Sequence, residues 1–289
     1  MTYRLIATDM DGTILLNNKK LSKDTIDALK AARDKGIEIV LCTGRPFANV
    51  VPYLSQINVE CSIITNNGAV IRDKQHELSH VNYIKRPQLE RVLKILEMED
   101  IYFHAGDEYL TYIDSFIKRV KITKIYIKKR RLPFYLEWLE ILRNVFLSNG
   151  YRRVNFKKYV AEGGQFTSLF IYSEDQDKLK KLKLKLMEIE GIEITSSAKE
   201  NIEVLDSEST KGMALERLSA SMGITPEEIV AVGDHLNDIS MIEFAGLGVA
   251  MGNGEEEVLK VADWITRSNE EEGFSHMIKM KVLEEEVRA

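Results

Sequence analysis

Between residues 3 and 75, short apolar runs alternate with a longer amphipathic pattern: RLIATD, then DTIDALKAARDK closed by Gly36, then IEIVLCTG, then CSIITNNGA. Apolar residues every three or four positions mark a helix, and brief unbroken apolar runs mark buried strands. The spacing predicts a β-α-β-α-β rhythm. It returns near residue 200, where STKGMALERLSASMG reads as a helix, EEIVAVGD as a strand, DISMIEFAG as a helix, and GLGVAM and ADWIT as strands. Between the first two, Thr225-Pro226-Glu227-Glu228 has capping-box spacing with proline at the first helical position, which predicts one helical turn. Strands that are apolar almost throughout, separated by helices, predict a parallel sheet covered on both faces. Such sheets collect ligands at the carboxyl ends of their strands.

Residues 84–200 have another texture. YFHAGDEYLTYI and FTSLFIYS alternate, and DQDKLKKLKLKLMEIEG is a charged helix. This stretch reads as an α+β domain inserted into an α/β core formed by residues 1–83 and 201–289. The insert is net basic and the remainder net acidic, so a basic lid over an acidic core is expected, suited to a phosphorylated substrate. The densest basic run, Lys118 to Arg131, reads first as a solvated helix or hairpin face, with phosphate attraction or a nucleic-acid patch as alternatives. If the insert closes over the core, the junctions near residues 83–87 and 198–202 are the expected hinges.

Composition removes other classes. A formal charge of -5 over 289 residues argues against a nucleic-acid partner. No apolar run approaches the roughly 18 to 20 residues that cross a bilayer, and the start lacks the basic-then-apolar pattern of a secretory signal. A cytoplasmic protein without membrane insertion is expected. Cys42 and Cys61 lie within apolar strand patterns, which predicts buried thiols rather than a disulfide. Oligomeric state is not legible in the pattern.

Four polar clusters follow apolar strand patterns. In Asp9-Met10-Asp11-Gly12-Thr13, two aspartates one residue apart can address one centre, and Gly12 permits a sharp exit. Alone, such a pair is more often a turn cap. A calcium loop does not fit, because its glycine belongs at the sixth position and Gly12 is the fourth. Thr43-Gly44-Arg45 offers a hydroxyl and adjacent N–H groups for phosphate oxygens, or simply a strand-to-helix turn. Lys211-Gly212 opens a helix, where an anion is favoured. Gly233-Asp234-His235-Leu236-Asn237-Asp238 ends a buried strand in carboxylate and amide groups, the oxygen ligands magnesium prefers. Together they offer a nucleophilic carboxylate, a cation site, an orienting hydroxyl, a lysine and an acid.

At these residues the sequence resembles the haloacid dehalogenase superfamily and, within it, the Cof-type sugar-phosphatase branch with a type IIB cap. The four clusters are similar to its four motifs, and Thr266-Arg267-Ser268-Asn269-Glu270 to Gly273 is similar to that branch as well. The resemblance implies a Rossmann-like doubly wound core with an inserted cap, and hydrolysis of small phosphorylated metabolites. It implies that Asp9 attacks phosphorus, Asp11 serves as acid and then base, and Thr43 and Lys211 hold the phosphoryl group. Magnesium would lie between the carboxylates of Asp9 and Asp234 and the main-chain carbonyl of Asp11, supported by Asp238. Met10, Gly44, Arg45 and Asn237 would be further phosphate contacts. Members that accumulate the phosphorylated aspartate have threonine at the position of Asp11, so this chain is expected to turn over. It departs from the branch at His235, often asparagine there, and at Asp206-Ser207-Glu208-Ser209, where a proline-containing segment is common.

A phosphomutase of the same fold is the nearest alternative; a phosphoacceptor or binding module without turnover belongs to another class. Receiver domains order their aspartates and lysine differently, and an insert of this length is too much for a simple receiver. Leaving-group recognition belongs to the insert, where His104, Tyr109, Tyr112 and Lys128 to Arg131 are candidates. Asn66 and Asn67, at a strand end, are placed to meet the insert or the substrate, although an Asn-Asn-Gly turn needs no further reason.

Overall fold

The structure, a computed structural model, describes residues 3–128, 134–142 and 151–283. In chain order its strands are β1 Leu5–Thr8, β2 Glu38–Cys42, β3 Ser62–Thr65, β4 Val70–Arg72, β5 Leu78–Val81, β6 Tyr102–Gly106 and β7 Thr111–Ile113. They continue with β8 Tyr151–Arg153, β9 Ser168–Tyr172, β10 Ile192–Thr195, β11 Asn201–Asp206, β12 Ile229–Gly233, β13 Leu247–Ala250 and β14 Trp264–Ile265. Two sheets result. The first has the order β14-β13-β12-β1-β2-β3-β4-β5, and the second β10-β11-β9-β6-β7-β8.

From β14 to β3 the first sheet is parallel. β4 and β5 extend it antiparallel. Alternation along its strands feeds two cores: Ile6, Ile39, Leu41, Ile63, Val230 and Val232 join one apolar cluster, and Leu5, Ala7, Val40, Ile64, Ile229 and Ala231 join another. Both faces are therefore covered, as the unbroken apolar runs predict. Helix Lys23–Asp34 shows how the polar pattern starts an element: Ser22 accepts a hydrogen bond from the Thr25 backbone N–H, and Thr25, Ala28, Leu29 and Ala32 form the buried stripe. Cys42 and Cys61 are buried free thiols. The turn at Pro226–Glu228 has its capping box, closed by Glu228 on the Thr225 N–H.

The second sheet is antiparallel apart from the β7–β8 pair. Helices Arg86–Met98 and Gln176–Leu186 pack on it through Leu89, Val92, Leu96, Leu179, Leu182 and Leu186. One boundary differs from the sequence reading. Residues 201–206, expected in the first unit, form β11 between β9 and β10 of the second. All six are buried, although Asn201, Glu203 and Asp206 are polar or charged, and it is the pairing with β9 and β10 that places them in the second sheet. The chain therefore crosses back after Asp206, and the segment 198–202 is part of the second unit.

Crossings 82–85 and 206–209 run side by side, joined by a hydrogen bond from Asn82 Nδ2 to the Glu208 carbonyl (3.1 Å) and by Lys85 with Asp206 (3.8 Å). The basic run begins in helix Phe116–Lys128; Lys129 to Arg131, and the Lys128 side chain, lie outside the described residues. Among the described residues no helix is long and apolar enough to cross a membrane.

Candidate active site

Strands β12, β1, β2 and β3 are neighbours, and each ends in one of the polar groups: Asp234, Asp9, Thr43 and the pair Asn66–Asn67. Sheet order therefore converges what the sequence separates by more than two hundred positions. Gly12 closes the turn after Asp11 with φ +83, and a Cβ there would lie 2.2 Å from Asp234 Oδ2. The first and last motifs touch so closely that only glycine fits.

Lys211 opens helix Lys211–Ser221, capped by the Thr210 side chain. Its Nζ, fully enclosed, donates to Asp9 Oδ1 and Asp238 Oδ1, both at 2.6 Å. Asp238 Oδ2 accepts from the backbone N–H groups of Asp234 and His235, both at 2.9 Å. Asp234 accepts from Thr13 Oγ1 at 3.0 Å and lies 2.8 Å from His235 Nδ1. Asn253 Nδ2 bridges Asp234 to the Gly12 carbonyl.

Burial pushes the Asp9 carboxyl up, to about 8; Lys211 opposes the rise, while Asp238, Asp234 and Asp11 add to it. Burial alone would lower Lys211, but Asp238 and Asp9 outweigh it and hold the ammonium well above the ordinary lysine range. His235 likewise loses to burial but gains more from Asp234, reaching about 9.

Asp9, Asp234 and Asp238 each present a carboxylate oxygen within 4.8 Å of one another. Lys211 and His235 offset part of this buried charge, and a hard divalent cation fits the remaining oxygen-donor set. Asp11, expected to contribute its main-chain carbonyl, turns its carboxylate elsewhere. It accepts from Arg45 Nε (2.5 Å) and Nη2 (2.7 Å) and from Lys19 Nζ (2.7 Å). Burial works against this anion, yet Arg45 and Lys19 hold it well below the usual carboxylate range. Arg45, expected on phosphate, is thus engaged with Asp11.

Thr43 is buried, and its Oγ1 accepts from the Arg45 backbone N–H at 3.2 Å. Gly44 packs against Asn67, 2.9 Å from where a Cβ would be. The Met10 side chain belongs to the core. Asn237 Nδ2 donates to Asn67 Oδ1 at 2.9 Å.

A cavity of about 810 Å³ joins Asp9, Asp11, Thr43 and Asp234 to the second unit. Of the leaving-group candidates, His104 lines it. Tyr109 instead covers Arg72, and Tyr112 is buried with its hydroxyl on Asp107. Asn66 does meet the second unit, donating to the Asp107 carbonyl (2.8 Å) and Thr167 Oγ1 (2.7 Å), and Asn67 donates to Glu203. No local pattern marks Phe170, Ser197, Asn201, Glu203 or Asn253, which also line the cavity. The nearest signal for Asn253 is its place after a strand of the first sheet, in MGNG.

The sequence matches the haloacid dehalogenase-like hydrolases across residues 6–278, and the chain belongs to that family. It is 31% identical over 283 residues to the phosphatase YwpJ of Bacillus subtilis, covering 96% of this chain and 99% of that one. It is also 31% identical over 278 residues to the 5-amino-6-(5-phospho-D-ribitylamino)uracil phosphatase YwtE of the same organism, covering 95% and 96%. Among solved structures, a haloacid dehalogenase-like hydrolase from B. subtilis superposes with a TM-score of 0.85 at 30% identity, over 96% of this chain and 99% of that one.

Proposed function

We propose that the chain hydrolyses monophosphate esters of small metabolites through an aspartyl-phosphate on Asp9. The convergence of Asp9 with Lys211, Asp234 and Asp238 carries this reading, and membership of the hydrolase family and likeness to named phosphatases support it. Asp9, Asp234 and the main-chain carbonyl of Asp11 would hold magnesium, with Asp238 behind them. When bound, the ion neutralises phosphoryl charge.

In this reading Asp9 attacks phosphorus in line, and Lys211 and the Thr43 hydroxyl hold the transferring oxygens. The pairing of Asp11 with Arg45 and Lys19 keeps its carboxylate in the form that takes a proton from the attacking water. Its earlier donation to the leaving oxygen requires a proton, and therefore requires Arg45 and Lys19 to release the carboxylate when substrate binds. Residues 84–206 act as the cap.

Phosphate release from sugar phosphates, a ribityl phosphate, pyridoxal phosphate and p-nitrophenyl phosphate tests the reading, with magnesium or EDTA. Magnesium-dependent turnover, lost in Asp9→Asn by about 10³-fold or more, is expected for a nucleophile. Turnover that survives Asp9→Asn would overturn it.

A further inference from the structure

Among the described residues, no basic lid is carried by the insert's share of the cavity wall. His104 and Phe170 on β6 and β9, Ser197 and Ala198 before β11, and Asn201 and Glu203 on β11 form it. Among these there is no lysine or arginine. Glu203 is buried, 6% exposed. Its Oε1 accepts from Ser197 Oγ and its Oε2 from Asn67 Nδ2; burial pushes the carboxyl above the ordinary glutamate range, and these two donors, with Lys211 and His235, oppose the rise. Among the described residues, the cations lining the same cavity stand on the first unit and are already paired: Lys19 and Arg45 with Asp11, and His235 with Asp234.

A phosphoryl group seated at Asp9 sends the rest of the molecule toward Glu203. There a hydroxyl or N–H donor meets acceptor oxygens, and carbon atoms meet the His104–Phe170 stack, whose rings lie 4.7 Å apart. A second phosphate meets acceptor oxygens that offer it no donor, and a like charge wherever Glu203 is ionised. Building on the phosphatase reading above, we propose that Glu203 is a specificity-determining residue that rejects a second anionic group. The substrate is then a monophosphate ester whose leaving group is uncharged or cationic and rich in hydroxyl or N–H donors. A phosphomutase, which must retain a bisphosphate, is disfavoured by the same carboxylate.

Binding separates this inference from catalysis. Calorimetry on Asp9→Asn with magnesium compares hexose and pentose monophosphates with their bisphosphates, such as glucose 6-phosphate with glucose 1,6-bisphosphate. The best monophosphate is expected to bind at least about 10-fold tighter than its bisphosphate, the scale of one unfavourable charge contact. Adding Glu203→Gln, of the same shape, is expected to shrink that ratio to within about threefold, and ratios cancel any general loss of affinity. Bisphosphate binding as tight as monophosphate, or no monophosphate binding at all, overturns the proposal. A ratio unmoved by Glu203→Gln removes Glu203 from it. Should Glu203→Gln not fold, the ratio in Asp9→Asn alone still decides whether a second anion is rejected. Absence of turnover by the unmutated enzyme, with the binding ratio intact, counts against the phosphatase reading and leaves the discrimination standing.

Discussion

Lys211 carries its charge where water does not reach, and it is bound to two carboxylates that are themselves buried. Replacing it with methionine would leave Asp9 and Asp238 without their shared cation. Urea unfolding in EDTA is expected to show a loss of about 3–5 kcal/mol for Lys211→Met, with part regained on adding magnesium. An unchanged midpoint in EDTA would contradict the pairing. Asp9 has the opposite linkage. Its folded value is raised to about 8, against about 4 unfolded, so between those values the unfolded state binds fewer protons and stability falls as pH rises. Without metal, Asp9→Asn is therefore expected to unfold at higher urea than the unmutated protein at pH 8, with the gap narrowing toward pH 5. A gap constant with pH would rule out the raised carboxyl. Asp9 and Asp234 were legible because each directly follows a strand and so inherits its position from the sheet, and Lys211 because it opens a helix behind a threonine cap. Glu203 and Ser197 were not, because only the pairing of β11 with β9 and β10 brings them to the cavity.

At the scale of elements, periodicity was a good guide wherever a strand and the next helix were local partners, as in β1, helix Lys23–Asp34 and β2. It failed for β11, which forms a local hairpin with β10 but is fixed in the second sheet by β9, and whose neighbouring Lys211 helix belongs to the other unit. The turn after β3 joins the units. Asn66 and Asn67 have φ of 49 and 54, a left-handed geometry that asparagine tolerates, and this aims their side chains across the boundary. Asn66→Ala removes two hydrogen bonds, to the Asp107 carbonyl and to Thr167 Oγ1. A loss of about 1–3 kcal/mol in chemical denaturation is expected, together with faster amide exchange around residues 105–107 and 166–168. Exchange that rises uniformly, or not at all, would mean that the turn is not a tie between the units.

For the whole molecule, the question is where the two units move. Two sets of contacts bridge them away from the crossings: Arg72 lies between the rings of Phe47 and Tyr109 and donates to the Glu108 carbonyl at 3.0 Å, and the Asn66–Asn67 turn reaches Asp107, Thr167 and Glu203. The two chain crossings, 82–85 and 206–209, are the remaining covalent link, and they lie against each other. These two adjacent crossings are where a hinge is expected, whereas segment 198–202 lines the cavity through Ala198 and Asn201. If the units open and close around substrate, these bridging contacts are the ones that part. Magnesium with vanadate, a phosphoryl-transfer mimic, is expected to slow amide exchange at the bridging residues 66–68 and 107–109. The two crossings should keep their exchange rates, because a hinge bends without losing its own hydrogen bonds. Arg72→Ala, which removes one clasp, should raise KM more than it lowers kcat and enlarge the radius of gyration of the free protein. If Arg72→Ala leaves both scattering and KM unchanged, the clasp is not what governs entry, and a fixed cavity that fills without movement becomes the better description.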